Sequence, residues 1–320
     1  MTLLEAVVLG VVQGLTEFLP ISSTAHLRLV PAALGWEDPG AAFSAVLQCG
    51  TLVAVLIAMR RDVVALTRGF LRGVASGHPW GTVESRVAIM IVLGTLPIVA
   101  VGLAAREFIR GDARGLDVIA TAVLGGTILM AAAELVCRAR ARRGEAGRDG
   151  LEAVRLADAV AMGLTQVLAL IPGASRSGTT ISSGMLTGLD RRTAARFSFL
   201  LSLPAVGAAG LLEAWQARHE ILATGDDILA AVVGTVVAGV AGYASIRWLL
   251  RRLTSHTLWP FILYRLALAG VLAWACVPQP VRVGGQPPMI PESRFSSEQV
   301  PPCSATSTTG AAWPGSSRAS

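Results

Sequence analysis

In this chain of 320 residues, 53% are hydrophobic and 15% charged, a balance that excludes an ordinary soluble domain and points to a polytopic membrane protein. The net charge of +6 would suit a nucleic-acid binder, but the basic residues, all arginine, stand in short clusters between apolar spans. That is the positive-inside pattern, and it excludes a nucleic-acid partner.

The first 34 residues carry two short apolar segments, 3–19 and a helix-like run to Leu34, separated by a polar break at 20–24. Neither is a full span, so a re-entrant hairpin is expected, a backbone tolerated only where protein or water surrounds it. In helix, Gln13 and Glu17 share a face. Pro20 stops that helix, and Ser22 or Ser23 caps the next, whose free N–H groups form a natural anion site. Ser23 and His26, three apart, are expected to face the same way.

Residues 41–59 read as a first span, followed by Arg60, Arg61, Arg68 and Arg72, which place the 60–85 loop in the cytoplasm. A second span at 86–105 leads to a charge-balanced loop placed outside. A third at 116–136 returns to a basic cytoplasmic loop from Arg138 to Arg148. Residues 156–190 repeat the behaviour of the N-terminus, with a short apolar helix, a break at IPGASRSGTT and a second short helix. Spans at 194–212, 228–250 and 258–277 follow, with an acidic outer loop at Glu213, Glu220, Asp226 and Asp227. The expected fold is all-α: six transmembrane helices plus two re-entrant hairpins. From Pro278 the apolar periodicity gives way to a Pro/Ser-rich stretch, read as a disordered tail over 278–320. Four scattered cysteines, Cys49, Cys137, Cys276 and Cys303, support neither a zinc site nor a disulfide framework.

FLPISS at 18–23 aligns with LIPGAS at 170–175, and FSAVL at 43–47 with FSFLL at 197–201. The first half starts outside and the second inside. The pattern is that of an inverted-topology repeat, about 1–136 and 156–277, with the two broken hairpins meeting near mid-membrane.

Glu17 in apolar sequence costs several kcal/mol unless paired or wetted, which gives it a functional reading by default. A lone buried histidine is usually a satisfied core residue, but beside Ser23 and Glu17 the reading for His26 is functional. Ser22, Ser23 and Thr24 can cap a helix or bind phosphate. Arg176 stands in Pro-Gly-Ala-Ser-Arg-Ser-Gly, where the small residues Gly173, Ser175, Ser177 and Gly178 leave backbone N–H groups reachable, the composition of an anion cradle. Arg191 and Arg192 read as positive-inside arginines, and Glu134 and Arg265 as side chains that snorkel from helix ends.

Over about residues 1–277 the chain resembles the integral-membrane undecaprenyl pyrophosphate phosphatases linked to bacitracin resistance. The resemblance rests on QGLTEFLPISSTAH from Gln13 to His26 and PGASRSG from Pro172 to Gly178, with support from QCG at 48–50 and RFSFLL at 196–201. It implies hydrolysis of a polyprenyl diphosphate lipid to the monophosphate and inorganic phosphate in a bacterial inner membrane, with the site opening outward. The family's reactive Ser, His and phosphate-binding Arg carry over to Ser23, His26 and Arg176. Its second acid carries over to Glu17, while Gln13 stands at the position where the family has Glu or Gln. A divalent cation, Mg²⁺ or Ca²⁺, is expected on Glu17 and Gln13. Ala25 replaces the glycine more usual before the histidine. Besides membrane lipids, a second copy of the chain remains open as a partner. The alternative is a transporter or flippase of a lipid phosphate, since inverted repeats with broken helices also build secondary transporters.

Overall fold

The computed structural model describes residues 1–38, 40–105, 115–221 and 223–276. The expected outer loop at 106–114 and the expected tail beyond 277 lie outside the described residues. Among these residues the regular elements are helices. α1 (Leu3–Phe18) begins on a capping box, in which Thr2 Oγ1 accepts from the Glu5 N–H and the Glu5 carboxylate accepts from the Thr2 N–H. It stops just before Leu19 and Pro20. α2 (Ser23–Leu34) ends at Gly35, whose φ of 68° is the left-handed conformation that closes many helices. α3 (Gly40–Ala58), α4 (Arg60–Ala75), α5 (Val83–Ala104) and α6 (Leu116–Arg142) complete the first half. The second half holds α7 (Leu156–Gln166), which tightens into a 3₁₀ turn at Val167–Leu170, then α8 (Arg176–Leu186), α9 (Arg191–Gln216), α10 (Gly225–Arg252) and α11 (Trp259–Cys276).

α3, α5, α6, α9 and α10 are long and apolar enough to cross a membrane, and they keep side chains such as Leu96, Leu103, Ile128, Val236 and Val240 exposed. Apolar side chains facing outward are what lipid requires of a helix that water would penalise. The expected sixth span is α11, which is shorter and interrupted by Arg265. The expected loop at 60–85 is instead mostly helix α4, packed on α5. Its arginines line an amphipathic helix with Leu66 buried and Leu71 and Val74 exposed, the pattern of a helix lying in a membrane interface.

Each hairpin is gripped by helices of the other half. α1 packs chiefly on α10, and α7 on α5. Both contacts need glycine. A Cβ at Gly14 would sit 2.6 Å from the Ala238 carbonyl oxygen, and one at Gly163 would sit 2.3 Å from that of Gly94. α8 and α11 pack against α6, and α3 runs between α9 and α10.

Two residues read as snorkelling are fully buried. Glu134 accepts two hydrogen bonds from the Arg191 guanidinium, at 2.6 and 2.8 Å, and a third from the Leu258 N–H at 2.7 Å. This also gives Arg191 a structural partner in place of a bland loop position. Arg265 donates to Thr127 Oγ1 and to the carbonyls of Val123, Gly173 and Ala174 at 2.8–3.3 Å. It thereby ties α6 and α11 to the break in the second hairpin. A charge this deep persists only with several acceptors; here Nε and Nη2 are engaged, while Nη1 has no partner.

Candidate active site

Glu17 closes the last turn of α1 on the same buried face as Gln13, whose Nε2 donates to Glu17 Oε2 at 3.3 Å. Five residues on, the chain turns through Ser22, with φ 76° and ψ 100°. Its hydroxyl caps α2 by accepting from the Ala25 N–H at 3.4 Å. In the second hairpin Ser175 does the same job, with φ 67°, ψ 101° and a cap bond from the Gly178 N–H at 3.2 Å. Among the described residues these two serines are the non-glycine positions with positive φ. Each such conformation costs on the order of 1–3 kcal/mol and points to a purpose beyond stability.

This shared geometry corrects the register of the repeat. The ungapped alignment pairs Ser23 with Ser175, but the caps pair Ser22 with Ser175 and therefore Ser23 with Arg176, each the first residue of its helix. Both first residues reach the same carboxylate. Ser23 Oγ donates to Glu17 Oε2 at 2.8 Å and Arg176 to Glu17 Oε1 at 2.8 Å. Glu17, Ser23 and Arg176 thus come together from opposite halves of the chain. The breaks are also stitched directly, by the Gly173 N–H to Thr24 Oγ1 at 3.0 Å and by Ser177 Oγ to the Leu19 carbonyl at 3.2 Å. Phe18 packs edge-on against Phe199 of α9, ring centroids 5.5 Å apart, and fixes the end of α1.

His26 stands elsewhere. Nδ1 lies 2.6 Å from the Ser22 carbonyl, which can only accept, so Nδ1 donates there, and Nε2 is hydrogen-bonded with the Tyr264 hydroxyl at 2.6 Å. The two rings are stacked at 5.6 Å. No hydrogen bond joins Ser23 to His26 among the described residues, and the two side chains have separate partners. What His26 does touch is the backbone of the strained cap.

The triad opens into a cavity of about 400 Å³. Its polar end is Glu17, Ser23, Thr24, Ser175 and Arg176, and its long apolar wall comes from α5 and α9, with Val99, Leu103, Val206 and Leu212. Arg176 keeps Nε and Nη1 without partners although its side chain is only 10% exposed. Together with the N-terminal N–H groups of α2 and α8, these donors suit an anion. The arrangement can hold a charged head at one end and an apolar chain along the other.

Gln13 Oε1 is buried without a partner beside Glu17. An orphaned hard oxygen next to a carboxylate fits a divalent cation whose other ligands are phosphate and water oxygens. No cluster of three or more His, Cys, Asp or Glu suited to a metal occurs among the described residues. Sequence reasoning missed Tyr264, 238 positions from its histidine, and Gln166, a buried cavity residue of α7. The one available signal for Gln166 was its place ten residues before Arg176, matching Gln13 before Ser23.

The model of the family described as bacitracin resistance protein BacA matches residues 6–271. The chain belongs to this family. It is 50% identical over 273 residues to an undecaprenyl-diphosphatase of Chlorobium phaeobacteroides (strain BS1), covering 85% of this chain and 96% of the relative. The same identity over the same length relates it to an undecaprenyl-diphosphatase of Myxococcus xanthus (strain DK1622), 88% of which is covered. A third such protein, from Chlorobaculum tepidum, is 48% identical over 268 residues.

Proposed function

We infer that this multi-pass membrane protein is an undecaprenyl-diphosphatase, which hydrolyses undecaprenyl diphosphate to the monophosphate and inorganic phosphate. The reaction recycles the lipid carrier of envelope polymers, and the activity confers bacitracin resistance. The observation that carries the reading is the Ser23–Glu17–Arg176 triad, assembled from both halves at the polar head of an apolar cavity.

Arg176 and the N-termini of α2 and α8 bind the diphosphate, replacing part of the charge that Arg176 shares with Glu17. The small residues Gly173, Ser175, Ser177 and Gly178 shape the phosphate cradle around the N-terminus of α8, the Gly173 and Gly178 N–H groups holding it together through Thr24 and Ser175, with Ser22 and Thr24 on the opposite side. Ser23 attacks the terminal phosphorus while Glu17 takes the proton from the hydroxyl it already accepts. The bond to the bridging oxygen breaks, undecaprenyl phosphate leaves, and water then hydrolyses the phosphoserine to inorganic phosphate. A water attacking in place of Ser23 releases the same two products in one step. His26 acts through Ser22, holding the cap carbonyl so that the α2 N-terminus faces the substrate. A divalent cation, Mg²⁺ or Ca²⁺, on Glu17 and the Gln13 carbonyl supplies positive charge against the diphosphate when bound. The prenyl chain lies between α5 and α9. A carrier that moves a lipid phosphate intact has no use for a hydroxyl held on a carboxylate, and no observation favours that alternative.

The chain sits in a bacterial inner membrane. The cavity is lined by Leu103 and Leu212, at the ends of α5 and α9 away from Arg86 and Arg191. With the basic ends inside, the site opens outward. Phosphate release from a prenyl diphosphate by purified protein tests the reading. Parent protein should release it, and Arg176→Ala should lose about a hundredfold or more. Near-parent rates in Arg176→Ala would remove the proposed site.

A further inference from the structure

Gln166 is the last residue of α7 and is 0% exposed, yet it borders the same cavity as Glu17, Ser23 and Arg176. Neither Nε2 nor Oε1 has a hydrogen-bond partner. Buried amides in folded proteins are almost always satisfied, so an amide with both ends free calls for a specific explanation. The repeat supplies its context. With Ser22 and Ser175 as equivalent caps, Gln13 and Gln166 each lie nine residues upstream of the cap, so Gln166 is the second half's counterpart of Gln13. Gln13 spends its amide nitrogen on Glu17. In the second half the residue corresponding to Glu17 is Leu170, which leaves the Gln166 amide uncommitted.

The surrounding backbone is suited to delivering that amide. Gly163, one turn earlier on the same face, lets α7 press against Gly94 of α5 and fixes the depth of the helix. Directly after Gln166 the helix tightens into the 3₁₀ turn Val167–Leu170, and Ala169, Leu170 and Ile171 of this segment form part of the cavity wall. A 3₁₀ stretch continuing an α-helix is a common place for local adjustment. A small shift of this wall uncovers an amide that has no protein bond to give up.

We propose that Gln166 is a substrate-contacting residue, whose amide N–H groups donate to a phosphoryl oxygen of the diphosphate and whose carbonyl accepts from water bound with it. The proposal rests on the phosphatase site described above. It assigns the second hairpin an uncharged donor beside Arg176, in addition to its cradle of backbone N–H groups. Each non-bridging oxygen of a diphosphate can accept more than one hydrogen bond, and a neutral donor adds recognition without further charge.

The test uses Gln166→Met, which keeps the volume and removes the polar atoms, and Gln166→Glu, which keeps the shape and adds a charge that repels phosphate. Each full-length variant is purified in detergent and assayed for phosphate release. Each is also titrated with a non-hydrolysable prenyl methylenediphosphonate and melted in parallel with the parent. The expected result for Gln166→Met is a fall of about ten- to a hundredfold in kcat/KM, the range for one hydrogen bond to a charged group, with weaker analogue binding. Its melting midpoint should be unchanged or higher, because an unsatisfied buried group has gone. Gln166→Glu should lose more activity than Gln166→Met. Activity and analogue affinity within twofold of the parent in either folded variant overturns the proposal. So does a lowered midpoint with unchanged analogue affinity, which marks a packing residue. Arg176→Ala, assayed alongside, separates the two levels. If it is inactive while the Gln166 variants are normal, this inference alone falls; if it is active, the site reading falls first.

Discussion

Glu17 is the residue on which the site depends, because it is buried and accepts from Gln13, Ser23 and Arg176 at once. Taking a carboxylate and a guanidinium out of water costs several kcal/mol per ion, which their attraction repays only with good geometry and further hydrogen bonds. Removing one partner therefore does more than delete a contact. Arg176→Ala leaves Glu17 buried with an uncompensated charge, and Glu17→Gln leaves Arg176, itself 10% exposed, without its counter-charge, although the new amide carbonyl can still accept from Ser23. Glu17→Gln should accordingly lower the melting midpoint while still eluting as folded protein, and should lower phosphate release by about a hundredfold. Arg176→Lys keeps the charge but loses the planar fork, and should recover only part of the activity lost in Arg176→Ala. Ser23 and His26 can be told apart by their surroundings. Ser23→Ala removes the hydroxyl that faces the cavity and should abolish turnover if that oxygen attacks phosphorus. His26→Ala breaks bonds to the Ser22 carbonyl and to Tyr264, so Tyr264→Phe should reproduce a milder form of the same defect. Full activity in Tyr264→Phe together with an inactive His26→Ala would instead assign His26 a direct part in proton transfer. The charged and hydroxylic members of the site were legible in the sequence because each is conspicuous in apolar surroundings. The Tyr264 partner was not, since nothing local links residues so far apart in the chain, and Gln166 was overlooked because an amide carries no charge.

At the scale of elements, the two hairpins hold their shape through glycine contacts and through charges placed behind them. The short helices were readable from Pro20, Pro172 and the serine caps, but the register of the repeat was not. The second break has one more residue between proline and cap, Pro172 to Ser175 against Pro20 to Ser22, and only the matched backbone angles reveal it. Helix α4 was hidden for a different reason, since its arginines satisfy a loop reading as well as an amphipathic one. The α5–α7 contact gives a direct prediction. A side chain at Gly163 would meet the backbone of Gly94 rather than a yielding side-chain tip, so the helices must separate. Gly163→Leu should destabilise the fold by about 1–3 kcal/mol or more, read as a lower melting midpoint, and should also lower activity by displacing the 3₁₀ turn that walls the cavity. Glu134 is the corresponding electrostatic position. Glu134→Ala leaves Arg191 and the Leu258 N–H without their acceptor, and a loss of about 3–5 kcal/mol is expected for one half of a buried pair. Activity of whatever remains folded should be preserved, because Glu134 does not border the cavity.

At the scale of the whole molecule, the helix contacts explain why two halves of low similarity can build one site. α1 of the first half packs on α10 of the second, and α7 of the second on α5 of the first. Neither half completes its own hairpin environment, and the ion pair between Glu17 and Arg176 forms only when both are in place. An inverted-topology repeat would give the two hairpins opposite orientations and the intervening segments a definite sidedness. The arginine clusters are the expected determinants of that sidedness: Arg60 to Arg72 lie on α4, and Arg138 to Arg148 run through the last turns of α6 and the segment after it. Both are expected in the cytoplasm, with the cavity mouth near Leu103 and Leu212 on the other face. Impermeant thiol labelling of intact cells tests this in a variant lacking the natural cysteines. Arg68→Cys on α4 and Glu145→Cys after α6 are both exposed positions and should react only after the membrane is permeabilised. Leu211→Cys, near the outer end of α9 and 60% exposed, should react in intact cells if water reaches that end. Labelling of Arg68→Cys or Glu145→Cys in intact cells would reverse the orientation, and the site would then open toward the cytoplasm and meet its lipid substrate from the other leaflet.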